Sequence, residues 1–237
     1  RLWKNHLIRK IRPKAGLSYL DVAGGTGDIA FRIKEAIEKQ SKSPSRREGL
    51  GEGLKSSVKL NIKHPHLNPP PTGGGSITLC DLNWDMLRVG RDRAVNKGWL
   101  NDFEWVTGNA ECLPLPSNSV DVYTIAFGLR NVTRIDDGLK EAFRVLKPGG
   151  RFFCLEFSHV KNPLLARLYD GFSFNVIPRI GKAVANDRES YQYLVESIRK
   201  FPKQEVLKRR MESAGFTKCR YENLSFGIAA IHSGIKI

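Results

Sequence analysis

The chain has 237 residues, 41% hydrophobic and 27% charged, which suffices for one sizeable core and argues against disorder over most of the length. Its four cysteines lie far apart, against a disulfide framework or zinc knuckle, and no apolar run reaches the roughly 20 residues of a membrane-spanning helix. The net charge of +15 sits in three windows: residues 1–14 hold six Lys/Arg and no acid, 38–76 hold seven against three, and 199–220 hold eight against two. These windows fit a solvated face or contact with an anionic surface. They suit nucleic acid less well, because aromatic residues are not interleaved with them as a stacking platform needs. The sequence starts at Arg1 without a methionine and shows no signal-peptide or amphipathic Arg/Ser-rich pattern, which decides little about targeting.

Leu2, Trp3, Leu7, Ile8 and Ile11 recur at helical spacing, and Pro13 and Gly16 end that helix. Residues 17–22 read as a buried strand, Gly24-Gly25-Thr26-Gly27 as a tight turn, and Asp28 as the start of a helix to about Lys39. Residues 41–75, rich in Ser, Lys, Pro and Gly, read as a flexible insertion. A strand at 77–81 follows, then a helix from about 84 to 97 capped by Asn83, and a short strand at 103–106. The near-continuous apolar run 120–127 is expected of a parallel strand covered on both faces. A helix over 135–146 stops at Pro148-Gly149-Gly150, and the next strand covers 151–156. Mostly helical stretches span 163–199, and a further helix runs from about 203 to Gly215. The chain ends in two strands, 217–224 and 227–236, around a turn at Ser225-Phe226-Gly227. Strands alternating with helices predict an α/β, doubly wound sheet in a single domain over 1–237.

The glycine turn carries the chemistry. Gly25 to Ala30 fits the G-x-G-x-x-[GA] nucleotide-binding fingerprint, a weak match by itself that also suits a plain strand–helix turn. The carboxylates narrow the ligand. Asp21 ends the strand and Asp28 opens the helix, and both would repel a pyrophosphate. A ligand with positive charge and no phosphate fits better. S-adenosylmethionine, with its sulfonium and ammonium, is such a ligand. Asp21 would face the cationic end, and the turn's amides at Gly25, Thr26 and Gly27 the ligand's carboxylate. Asp81 ends the second strand, where an acid accepts ribose hydroxyls. Asn109 can read an adenine edge or simply cap its loop, and the small Ala110 lets a ring lie flat.

Six segments then carry a resemblance: DVAGGTGDIAFR (21–32), CDLNWDML (80–87), GNAECLP (108–114), DVYTIAFGLRNV (121–132), RVLKPGGRFFCLEFS (144–158) and SYQYLVESIRKFP (190–202). Together they closely resemble the ubiquinone/menaquinone-biosynthesis C-methyltransferases. The resemblance implies a class I S-adenosylmethionine-dependent methyltransferase fold: Rossmann-like, with a seven-stranded sheet, an antiparallel last strand and a helical substrate cap at 160–200. It implies cofactor contacts at Thr26, Asp81, Asn109 and Ala110, and a cleft beyond Phe127-Gly128-Leu129-Arg130-Asn131. The presence of a long insertion between the first helix and the second strand resembles mitochondrial members, which methylate a polyprenyl-methoxy-benzoquinol, although the 41–75 sequence itself has no recognisable counterpart there.

For such a reaction Arg130 is the catalytic candidate, stabilising a quinol oxygen or orienting a water; the alternative is a loop-bracing salt bridge. His159 can take a proton, and Tyr169, Tyr191 and Tyr193 can line a quinol pocket or simply pack. His64 and His66 lack a third ligand, so no metal is expected. The implied substrate lives in a bilayer, so the resemblance implies peripheral contact at the matrix side of the mitochondrial inner membrane. Other ubiquinone-biosynthesis proteins or a second copy of the chain are implied as partners, and no nucleic acid. Rival readings are a nucleic-acid or other small-molecule methyltransferase, a nicotinamide oxidoreductase, and a low-activity scaffold subunit.

Overall fold

A computed structural model describes residues 1–41, 75–159 and 188–237. The expected insertion falls almost wholly outside the described residues, and so does the expected cap apart from its last helix.

The described strands are β1 (Tyr19–Val22), β2 (Ile77–Asp81), β3 (Glu104–Thr107), β4 (Val120–Ala126), β5 (Leu146–Phe157), β6 (Thr217–Leu224) and β7 (Ala229–Ile235). They form one seven-stranded sheet in the order β3-β2-β1-β4-β5-β7-β6. The first five strands pair in parallel, and β7 runs antiparallel to both β5 and β6. The expected sheet with an antiparallel last strand is the one observed.

Every residue of β1 is buried, because helices cover both faces of the sheet. On one face α1 (Leu2–Ile11), α2 (Asp28–Ser41) and α3 (Trp84–Asn96) bring Leu7, Ile11, Ile33 and Leu87 against Tyr19, Leu79, Val122 and Leu155. On the other face α4 (Ile135–Val145) and α6 (Gln204–Ser213) bring Leu139, Val145, Leu207 and Met211 against Leu20, Tyr123, Phe152 and Cys154. The period-2 alternation of Tyr19 and Leu20 thus divides the core between two layers. The helix before α6, α5 (Arg188–Lys200), meets the 3-10 turn Leu129–Asn131 that follows β4.

Helix ends follow local chemistry. Arg12 closes α1 in the left-handed region (φ 49°), one residue before Pro13. Asn83 caps α3 as expected, its Oδ1 accepting from the amides of Asp85 (2.9 Å) and Met86 (3.3 Å). One boundary differs from expectation: β5 starts at Leu146, with Pro148-Gly149-Gly150 inside it. Pro148 has no N–H to donate and Gly149 (φ 80°) turns left-handed, so pairing with β4 jumps from Val120–Leu146 to Val122–Arg151. The end of the sheet satisfies the bulge: Gly149 N–H donates to Lys236 O (2.7 Å) and Lys236 N–H to Gly150 O (3.0 Å).

The carboxyl ends of β1, β2, β4 and β5 share one edge of the sheet. Strand order reverses there between β1 and β4, where doubly wound sheets hold their ligands.

Candidate active site

The glycine turn between β1 and α2 is built for close approach. Gly25 (φ 49°) and Gly27 (φ 83°) adopt left-handed backbone, as does Ala23 (φ 51°). The loop after β4 touches it: a Cβ on Gly128 would lie 2.3 Å from the Ala23 Cβ. Helix α3 presses from the other side, where a Cβ on Gly90 would lie 3.1 Å from Gly25 O. Asp81 ties the turn to β2, its Oδ2 accepting from Gly25 N–H (2.8 Å) and its Oδ1 from Asn83 N–H (2.8 Å). Each oxygen keeps a further lone pair for a ligand hydroxyl.

Asp21 lies beneath the turn and is 1% exposed. Its Oδ1 accepts from the Thr124 hydroxyl (2.7 Å), while its Oδ2 has no hydrogen-bond partner among the described residues. A Cβ on Gly24 would sit 3.3 Å from that oxygen, so the unpaired acceptor borders the turn itself. Burial pushes the Asp21 carboxyl up to about 7, with the Thr124 hydroxyl, the Ala30 backbone and the charge of Lys4 pulling the other way. A buried acceptor with no close, well-aligned donor is costly. A ligand cation seated at the turn would offset that cost, so the residues present fit the expected cofactor. Asp28 contributes less than its position suggests. Burial raises its carboxyl, but the hydrogen bond and charge of Lys4 (2.6 Å), with Arg32 (3.1 Å), hold it below the usual range. Its charge is therefore largely compensated, which leaves Asp81, and Asp21 once a cation ionises it, as the acids facing the turn.

Beyond β3, Asn109 Oδ1 accepts from Glu111 N–H (3.0 Å), which shapes the loop and leaves Nδ2 as the donor. Glu111 in turn accepts from Arg134 N–H (3.0 Å) and Nε (2.8 Å), fastening this loop to the start of α4. Ala110, partly buried, packs against the core layer of α4 and α6.

At the other side of the edge, Arg130 sits in the Leu129–Asn131 turn with its side chain 12% exposed. Its Nη1 bonds Glu156 Oε1 (2.9 Å) and the carbonyl of Phe127, and its guanidinium stacks 5.5 Å from the Phe157 ring centroid. Glu156 is 1% exposed and also accepts from the amides of Phe157 (2.8 Å) and Arg130 (3.3 Å). Burial raises the Glu156 carboxyl against the opposing pull of Arg130. The bracing ion pair weighed as the alternative for Arg130 is present, at the edge where the cleft was expected. Arg130 Nε has no partner among the described residues. Trp3, Phe127 and Phe157 pack together here, with centroids 4.8 to 6.3 Å apart.

Of the remaining candidates, Tyr193 donates to Asn131 Oδ1 (3.1 Å), bringing α5 to the Arg130 turn. His159 Nε2 bonds the carbonyl of Phe201 (2.8 Å), a brace between the end of β5 and the end of α5. Tyr169, His64, His66 and the Tyr191 side chain lie outside what the structure describes. Among the described residues no group of three or more His, Cys, Asp or Glu can hold a metal ion. No helix among them is long and apolar enough to cross a membrane.

The model of the ubiE/COQ5 methyltransferase family matches residues 1–236. The chain belongs to the ubiE/COQ5 methyltransferase family. It is 52% identical over 237 residues to "2-methoxy-6-polyprenyl-1,4-benzoquinol methylase, mitochondrial" of Bos taurus, covering all of this chain and 72% of that protein. The enzyme of the same name from Homo sapiens is 51% identical over 241 residues, again covering 100% of this chain and 72% of the relative. Among solved structures, a SAM-dependent methyltransferase from Aquifex aeolicus aligns with TM-score 0.58 at 14% identity, over 99% of this chain and 89% of that one. A Haemonchus contortus phosphoethanolamine N-methyltransferase in complex with S-adenosyl-L-methionine aligns with TM-score 0.64 at 12% identity, over 98% of this chain and 52% of that one. Those likenesses establish the class I methyltransferase fold.

In this ubiE/COQ5 methyltransferase, Asp21, Gly25, Thr26, Gly27, Asp81, Asn109 and Ala110 gather around one stretch of the sheet edge, with Arg130 beside them beyond β4. Glu156 escaped the sequence reading. Its signal was a lone acid inside the apolar strand run FFCLEF, where an ionised side chain demands a buried partner. The exposed Leu82 and Met86 follow Asp81 and were likewise passed over. A Cβ on Gly25 would lie 3.4 Å from Met86 Cε, so Met86 adjoins the glycine turn.

Proposed function

We propose that this methyltransferase uses S-adenosyl-L-methionine to methylate a ring carbon of a polyprenylated methoxy-benzoquinol in ubiquinone biosynthesis. The observation that carries the reading is the 52% identity over all 237 residues to a relative named for that reaction.

When bound, S-adenosyl-L-methionine supplies an electrophilic methyl group on a sulfonium. The residues that hold it are those of the glycine turn. Gly25, Thr26 and Gly27 would present backbone to it, Asp21 would supply negative charge beneath the turn, and Asp81 would accept from ribose hydroxyls. Asn109 would offer Nδ2 to an adenine edge, with Ala110 and Met86 as apolar neighbours of the site.

A ring carbon is a poor nucleophile until a neighbouring hydroxyl gives up its proton. Arg130 stays protonated, so it does not take that proton. Its guanidinium, held in place by Glu156, stabilises the resulting oxyanion or orients a water that accepts the proton. Alignment in a site shielded by Trp3, Phe127 and Phe157 does the rest. Tyr169 and Tyr191 belong to the reading as quinol-pocket residues. The substrate tail requires a lipid surface, and the basic windows suit the matrix face of the mitochondrial inner membrane. Other proteins of ubiquinone biosynthesis, or a second copy, are its partners in this reading.

The test is product identity. Purified protein is incubated with S-adenosyl-L-methionine and a short-tailed methoxy-benzoquinol lacking the ring methyl. The reading expects a new carbon-bound methyl by mass spectrometry and NMR. Methylation on oxygen, or no product from protein that binds the cofactor, contradicts it.

A further inference from the structure

We propose that the β6–β7 turn, with Phe226 at its tip, is the element by which this enzyme touches a lipid surface and presents its cleft to the bilayer. The proposal deepens the preceding reading and rests on it, since that reading places the acceptor's tail in a membrane.

The backbone of this turn is held against its own preference. Ser225 (φ 47°), Phe226 (φ 58°) and Gly227 (φ 97°) are consecutive residues in the left-handed region. An aromatic L-residue resists that conformation, and strain of this kind gathers at functional segments. Among the described residues, four of the seven non-glycine residues with positive φ (Ala23, Phe127, Ser225 and Phe226) lie at the sheet edge that carries the site. The turn does not use its strain to bury the ring. Phe226 is 81% exposed and makes no ring contact among the described residues.

The turn is also coupled to the site. Trp3 Nε1 donates to Ser225 Oγ (2.8 Å), and the Trp3 ring packs 6.1 Å from Phe157, which lies under the Arg130 guanidinium. Ala229 pairs with Phe157, and Ser158 N–H donates to Ile228 O (2.9 Å), so the turn leads straight into the strand beside Glu156. On the far side of the edge, Leu82 (72% exposed) and Trp84 (44%) follow β2. Four strand spacings separate β2 from β7, or about 19 Å. Exposed apolar side chains therefore flank the cleft on both sides, as a surface that rests on a bilayer interface requires. The segment that adjoins the turn through Trp3, residues 1–14, holds six Lys/Arg and no acid, which favours an anionic lipid surface as the occupant.

The experiment uses Phe226→Asn, because asparagine tolerates left-handed backbone and the variant should melt no lower than wild type. Binding is read by co-sedimentation with vesicles of phosphatidylcholine and phosphatidylglycerol. The proposal expects at least about tenfold weaker vesicle binding, the loss of one buried aromatic ring. It also expects unchanged turnover of a short-tailed quinol, lower turnover of a long-tailed quinol in vesicles, and recovery in Phe226→Trp. Wild-type vesicle affinity in Phe226→Asn, or a wild type that does not bind vesicles, overturns it and leaves a protein partner as the occupant. Loss of long-tailed turnover with unchanged vesicle binding also overturns it, since Phe226 would then touch substrate. If wild type turns over neither quinol, the substrate reading fails, while the vesicle measurement still decides the docking surface.

Discussion

Asp21 concentrates the electrostatics of the site in one side chain. Burial holds its carboxyl at about 7 in the folded chain, against the ordinary 3.8. Between those values the unfolded chain releases a proton that the folded chain keeps, so stability falls as pH rises through the window and is level above about 7. The full effect is about 4 kcal/mol as an upper bound. His232 works in the opposite sense: burial lowers it to about 4, so stability is lost as pH falls below its ordinary 6.5. Comparing wild type with Asp21→Asn isolates the Asp21 contribution. Denaturant unfolding should show the variant gaining on wild type from about pH 4 to about pH 7; parallel curves would refute the assignment. A bound cation should ionise Asp21, so affinity for S-adenosyl-L-methionine should tighten with rising pH up to about 7 in wild type and stay flat in the variant. Arg130 and Glu156 form the second residue-scale test. Arg130→Lys keeps a charge but loses the guanidinium geometry, and turnover should fall on the order of a hundredfold with cofactor affinity nearly unchanged. Equal turnover would remove Arg130 from the chemistry. Glu156→Gln strands the guanidinium without its counter-charge and should cost about 3–5 kcal/mol in thermal or denaturant unfolding.

The site depends on three elements meeting where their chains are thinnest. Gly128 lets the loop after β4 lie on the turn after β1, with no room for a Cβ beside Ala23. Gly128→Ala should therefore push the two turns apart and cost about 1–3 kcal/mol, with a parallel loss of cofactor affinity. A variant that binds and melts like wild type would show that the contact gives way freely. Much of this level was legible in the sequence, because it is local. The glycine turn, the Asn83 cap and the apolar run of β4 each announce their geometry over a few neighbouring residues. The bulge in β5 was not legible, since Pro148-Gly149-Gly150 reads as a stop until Lys236, distant in sequence, satisfies its backbone.

At the scale of the whole molecule, what the sequence could not show is what the sheet assembles from afar. Trp3, Phe127, Phe157 and Ser225 come from four separate segments, yet they form one wall beside Arg130. Asp28 looked like part of a negative pocket until folding placed Lys4 against it. What survives is a sheet edge where two acids without an ion-pair partner among the described residues, Asp21 and Asp81, lie against the glycine turn. Such an edge selects a positively charged donor over a pyrophosphate. Calorimetric titration of the purified chain with S-adenosyl-L-methionine and, separately, with NADH tests that selection most directly. Saturable binding of S-adenosyl-L-methionine at one site, with no heat from NADH, is the predicted result; binding of NADH without S-adenosyl-L-methionine would contradict it.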